Sequence, residues 1–138
     1  MKAIKDTPGR EDESPKFKAT MQEREPLPTA IEYCEKHFPE MCSEFKRIQK
    51  DQYATFCAKQ RNYGPANISV GTNLETADDV KLSLTGLWFR INDKIQRLKQ
   101  LVILNQPDEV GESIEDTYAD LSIYGIIAQI VFRKKWGK

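Results

Sequence analysis

Between Asp108 and Asp120 the chain carries six carboxylates and neither lysine nor arginine. Within that stretch Glu112, Asp116 and Asp120 fall at four-residue steps, a spacing that sets all three on one side of a helix over about two turns. Carried downstream, the same side becomes Ile123, Ile127, Ile130 and Val131, which must be buried. Acids in line with a buried stripe need positive company. The helix dipole accounts for Asp108, Glu109 and Glu112 at a helix start, but its effect fades within a turn and Asp120 lies beyond it. Like charges at i, i+4 repel, so a cation from a neighbouring helix or a bound metal ion should offset them. The preceding segment supplies cations, because Arg90, Lys94 and Arg97, with Asp93 farther round among them, flank an apolar face.

Two arrangements suit these residues. One is a structural ion-pair layer, Asp116 or Asp120 against Arg90 or Arg97. The other is a site in which Glu112, Asp116 and Asp120 ligate Mg²⁺ while Arg90, Lys94 and Arg97 take phosphate oxygens. In the second, Asp116 and Asp120 are the candidate catalytic residues, one of them orienting an attacking water. Lys59 and Tyr63, at a helix end with Asn62, offer a cation and an aromatic ring to a phosphate or a base. Tyr63 would serve equally well as cover for the core. The residues alone leave both arrangements open.

The elements that must position these groups read as helical. Thr29 can cap a short helix carrying Ile31, Cys34 and Phe38, and Pro39 suits the first turn of a longer one. That helix places Met41, Phe45, Ile48, Gln52 and Phe56 on one stripe and should stop at Tyr63-Gly64-Pro65. Residues 66–75 lack a helical period and read as a loop with a brief extended piece at 68–70. Thr76 with Asp78 and Asp79 signals a new helix, whose face runs Leu84, Leu87, Trp88, Ile91, Ile95, Leu98 and Val102 to a stop at Asn105-Gln106-Pro107. Trp88 on that face is expected in the core. A last helix is expected from about Asp108 to about Arg133, with Lys134, Lys135 and Lys138 set against the negative end of its dipole. The fold class is therefore all-α, a bundle of three to four helices over residues 29–138. Its last helix is apolar almost all round from Ile123 to Phe132, which predicts completion by self-association, as a dimer.

Residues 1–28 hold four of the seven prolines and six acids against six bases, and are expected to form a flexible arm. The whole chain has 138 residues and 21 basic against 21 acidic side chains, a formal net charge of zero. That balance argues against a general nucleic-acid or anionic-membrane binder. No stretch is long and apolar enough to span a bilayer, and the charged N-terminus is unlike a signal peptide. Three cysteines without a CxxC fit free thiols in a reducing cytoplasm. A single histidine, His37, makes a Ser-His-Asp triad or a His-rich zinc site improbable. Neither GxxxxGK nor GxGxxG occurs, which excludes a P-loop or Rossmann enzyme.

With these residues in view, the C-terminal two-thirds resembles the nucleotide modification associated domain family, type one. The matching pieces are Lys59-x-x-Asn62-Tyr63-Gly64, then Gly86-Leu87-Trp88-x-Arg90-Ile91-x-Asp93-Lys94-x-x-Arg97-Leu98, and Glu112-Ser113-x-x-Asp116-Thr117-x-x-Asp120-Leu121-x-x-Tyr124. The first piece departs from the pattern, having Asn62 where an aspartate usually precedes Tyr-Gly. The resemblance implies association with nucleotides in bacteria and their phages, hence a nucleotide or deoxynucleotide as ligand in the cytoplasm of a bacterial or phage-infected cell. A looser similarity is to the all-α nucleoside triphosphate pyrophosphohydrolases, helical dimers or tetramers in which carboxylates of adjacent helices bind Mg²⁺. Their EExxE…ExxD signature does not occur here. Three functions follow as expectations: a Mg²⁺-dependent enzyme acting at a nucleotide phosphate, a non-catalytic nucleotide-binding or sequestering protein, or a helical interaction protein with a structural charge layer.

Overall fold

A computed structural model describes residues 2–3 and 24–138, so most of the arm expected over residues 1–28 lies outside the described residues. Among the described residues every regular element is helical. Helix α1 spans Ala30–His37, and Thr29 caps it reciprocally with Glu32. Helix α2 spans Pro39–Tyr63, with proline in its first turn and Gly64 closing it at φ +68°. Helix α3 is a single turn, Ala66–Ser69. Helix α4 spans Ala77–Leu98, capped by Thr76 and Asp79, and widens into a π-helical turn over Lys99–Ile103. Helix α5 spans Ile114–Phe132.

The hydrophobic cluster is centred on α4, α5 and the short segment between α2 and α4. Ile68, Leu74, Leu87, Ile123, Ile127, Val131 and Trp136 are buried, with Phe56 as the contribution from α2. Residues 68–70, expected to be extended, instead form the end of the α3 turn. Val70 and Leu74 take left-handed φ angles there, which turn Ile68 and Leu74 inward. The buried Ser83 hydroxyl donates to the Ile68 carbonyl at 2.6 Å and ties this segment to α4.

Two further expectations are corrected. The last helix starts at Ile114 and not near Asp108, because Gly111 at φ +80° turns the chain and Ser113 accepts the Asp116 N–H as an N-cap. Asp108 meanwhile folds back on the Val110 N–H at 3.1 Å. Trp88 is not core: it is 58% exposed and packs edge-on against Phe89. Helix α5 ends at Phe132, within a residue of the expected end. Lys134 adopts a left-handed φ, and the N–H groups of Lys134 and Lys135 close on the Val131 and Ile130 carbonyls. This reversal folds the tail back, burying Trp136 against Phe56 and directing its indole N–H to the Pro65 carbonyl at 2.9 Å. No described helix is long and apolar enough to cross a membrane.

Candidate functional site

Helices α4 and α5 run antiparallel, so the cations of one meet the acids of the other in reverse order. Arg97 reaches the start of α5: its Nη2 donates to the Glu112 carbonyl at 2.6 Å and to Asp108 Oδ1 at 3.2 Å. Its Nε donates to the buried Thr117 hydroxyl at 3.2 Å and lies 3.6 Å from Glu112 Oε2. One turn back, Lys94 Nζ bridges Glu112 Oε1 at 3.0 Å and Asp120 Oδ2 at 2.8 Å. The other oxygen of Asp120 receives Lys59 from α2 at 3.3 Å. Asp120 is thus the junction of three helices.

The electrostatics follow this geometry. Burial alone would push the Asp120 carboxyl up, but the Lys94 hydrogen bond and the charges of Lys59 and Lys94 outweigh it and hold the group below the ordinary carboxylate value. The hydrogen bond to Asp120 raises the Lys94 ammonium, against the opposing effect of burial and with help from Glu112. Asp108 is lowered chiefly by the Val110 N–H, against the opposing effect of burial and with help from Arg97. All three are held in their charged forms.

The sequence-derived residues separate into two groups. Glu112, Lys94, Arg97 and Asp120 form the ion-pair ladder, with Glu112 contributing from the loop before α5 and not from the helix. Asp116 stands apart: it is exposed and forms no ion pair among the described residues. It lines an open cleft of about 410 Å³ between α2 and α5, together with Asp51, Gln52, Thr55, Lys59, Glu115 and Asp120. Tyr63, Arg90 and Lys59 line a neighbouring cavity of about 330 Å³ with Asn67, Tyr124 and Asp120. Asn62 is exposed on the last turn of α2.

Lys59 and Asp120 belong to both compartments, so their ion pair is the partition between them. The cleft on one side is rich in carboxylates. The cavity on the other is aromatic and basic. Arg90 there donates to the Asn67 carbonyl at 3.0 Å and pairs with no carboxylate among the described residues. Asn67 Oδ1 is buried and accepts no hydrogen bond from the described residues.

The cleft's hard oxygen donors suit Mg²⁺ in kind. They do not form a closed ligand cage: no three His, Cys, Asp or Glu side chains among the described residues are grouped to hold a metal ion. Between Glu112 and Asp120 the bridging position belongs to the Lys94 ammonium. Sequence reasoning missed Asp51, Thr55 and Glu115 in the cleft and Asn67 and Tyr124 in the cavity. Asp51, Thr55 and Lys59 do stand at i, i+4, i+8, and that periodicity was the available signal. Nothing comparable marks Asn67, which the α3 turn brings into place.

The fold and site together define an all-helical protein with an acidic cleft and a basic, aromatic cavity meeting at one ion pair. A family model described as nucleotide modification associated domain 1 matches residues 59–132, more than half of the chain, and the chain belongs to that family. The matched segment begins at Lys59 and includes α4, α5 and the whole ion-pair ladder. Searches of curated proteins and of solved structures give no match.

Proposed function

We propose that this protein binds a nucleotide or deoxynucleotide across the Lys59–Asp120 partition and acts in nucleotide-modification metabolism. The observation that carries the reading is the adjacency of the two compartments, whose chemistries match the two ends of such a ligand. Tyr63 and Tyr124 offer ring faces to a base, and Asn67 Oδ1 offers an acceptor to a base N–H. Lys59 and Arg90 offer charge to phosphate oxygens. Family membership supports a nucleotide as the ligand. The three free thiols suit a reducing cytoplasm, in a bacterium or a phage-infected cell.

Mg²⁺ fits the cleft as an ion carried partly by the ligand. Such ions commonly use one or two carboxylates, several waters and substrate phosphates. Asp116 would hold it, with Asp51, Glu115 or Asp120 of the same cleft, while Glu112 stays engaged by Lys94. Bound there, the ion would neutralise phosphate charge in an otherwise repulsive cleft and polarise the phosphoryl group. Asp116, unpaired and open to solvent, is the side chain best placed to orient a water for hydrolysis or another acceptor for transfer. Neutralisation of Asp120 and Glu112 by Lys94 favours a second reading, a binding or sequestering protein that uses the same compartments without turnover.

A thermal-shift series with ribo- and deoxynucleotides, with and without Mg²⁺, followed by product analysis, tests both readings. A melting temperature raised by nucleotide supports binding. Phosphate or pyrophosphate released by the wild type and lost in Asp116→Asn, with helicity unchanged, identifies the enzyme. Stabilisation without product identifies the sequestering protein. No response to any nucleotide overturns the proposal.

A further inference from the structure

Neither α1 nor α2 contains a buried residue, although α2 is the longest helix of the chain. The apolar face of α2 runs Met41, Phe45, Ile48 and Phe56, and of these Phe56 packs on the core. Met41, Phe45 and Ile48 are 60%, 64% and 45% exposed, and Ile31 of α1 and Phe38 between α1 and α2 are 70% and 50% exposed. The reason lies in the register of α2 against α5. Ile48 and Asp51 share the acidic cleft with Glu115 and Asp116, the first turn of α5, so the turns of α2 before Ile48 extend past it.

We propose that a second copy of this chain packs on the Ile31–Phe38–Met41–Phe45–Ile48 face. Area is the first argument. With whole large side chains at 150–250 Å² each, these exposed fractions amount to on the order of 600 Å² of apolar surface. A homodimer interface is about 65% apolar, so this corresponds to roughly 900 Å² per partner, slightly above the ~800 Å² each side gives to a standard stable interface. Charge is the second. On α1 and α2 Lys46 pairs with Glu35 and Arg47 with Glu44, so these four side chains bring no net charge against a second copy. Stoichiometry is the third. The N-terminal turns of α2 need cover in order to stay helical in water, since isolated helices are marginal, and the macromolecule present at equal concentration whenever the chain is made is the chain itself.

This surface is distinct from the apolar groove on α4 formed by Val80, Leu84, Trp88 and Phe132, which supplies the control. The experiment is light scattering on the full chain at micromolar concentration, with Phe45→Glu and Trp88→Glu. Expected are a dimer for the wild type, a monomer for Phe45→Glu and an unaltered dimer for Trp88→Glu. A monomeric wild type overturns the proposal, as does a Phe45→Glu chain that keeps the wild-type mass or a dimer broken by Trp88→Glu alone. If Phe45→Glu loses its helicity, the wild type decides by itself: its melting temperature should climb with protein concentration, and a melting temperature that does not overturns the assignment.

Discussion

Lys94 holds the position a metal ion would take between Glu112 and Asp120, and that single placement governs the chemistry of the ladder. Asp120→Asn would leave Lys59 without its carboxylate partner and Lys94 with Glu112 alone; a loss of about 2 kcal/mol in urea unfolding is expected for a partly buried, hydrogen-bonded charge pair. The pH dependence has a definite sign. The folded Asp120 carboxyl lies below its unfolded value, so its contribution is complete above about pH 4 and disappears as pH falls through the folded value. Lys94 is raised, so its contribution is complete below about pH 10 and disappears as pH rises through the folded value. Acid unfolding monitored by circular dichroism should therefore be shallower in Asp120→Asn than in the wild type. Thr117, fully buried, receives Arg97 Nε, so Thr117→Val should cost about 1–2 kcal/mol for the acceptor lost, measurable by the same unfolding series. That Asp120 needed cations was legible from its alignment with Ile127. That Lys94 and Lys59 would supply them was not, because spacing along one helix does not say which of Arg90, Lys94 and Arg97 meets which acid.

At the level of elements, the boundary that mattered most was the start of α5. Six carboxylates between Asp108 and Asp120 suggested a helix from Asp108, yet Gly111 and the Ser113 cap delay it to Ile114. The Ser-x-x-Asp cap was present in the sequence, hidden by an apparent periodicity running through it. Ser113→Ala should lower stability by about 1 kcal/mol, read as a fall in melting temperature, and should loosen the Arg97 contacts to the Glu112 carbonyl. Helices α1, α2 and α4 were legible with their caps, since Thr29, Pro39, Gly64 and Thr76 are local signals that do not depend on tertiary packing. The α3 turn was not, because left-handed Val70 and Leu74 are stabilised by burial of Ile68 and Leu74 against α4, a tertiary effect.

Across the whole molecule, the N-terminal part of α2 and the Trp88 face are apolar yet exposed, and the core is gathered around α5. Amphipathic spacing shows that a face is apolar; it does not show whether the same chain or another covers it. The fold class was therefore readable while the distribution of burial was not. The C-terminal tail joins α2 to the α3 segment, Trp136 meeting Phe56 and the Pro65 carbonyl. Trp136→Ala should cost about 3–5 kcal/mol and release Phe56 and the Pro65 turn that leads into Asn67, with a matching drop in the nucleotide-induced rise in melting temperature. Burial of Trp136 and exposure of Trp88 also give the molecule two optical reporters in opposite surroundings. Indole emission from Trp136 belongs at shorter wavelength and is shielded from a dissolved quencher, whereas that from Trp88 is red-shifted and open to it, so one fluorescence titration can tell an event beside the tail from one on the far face of α4.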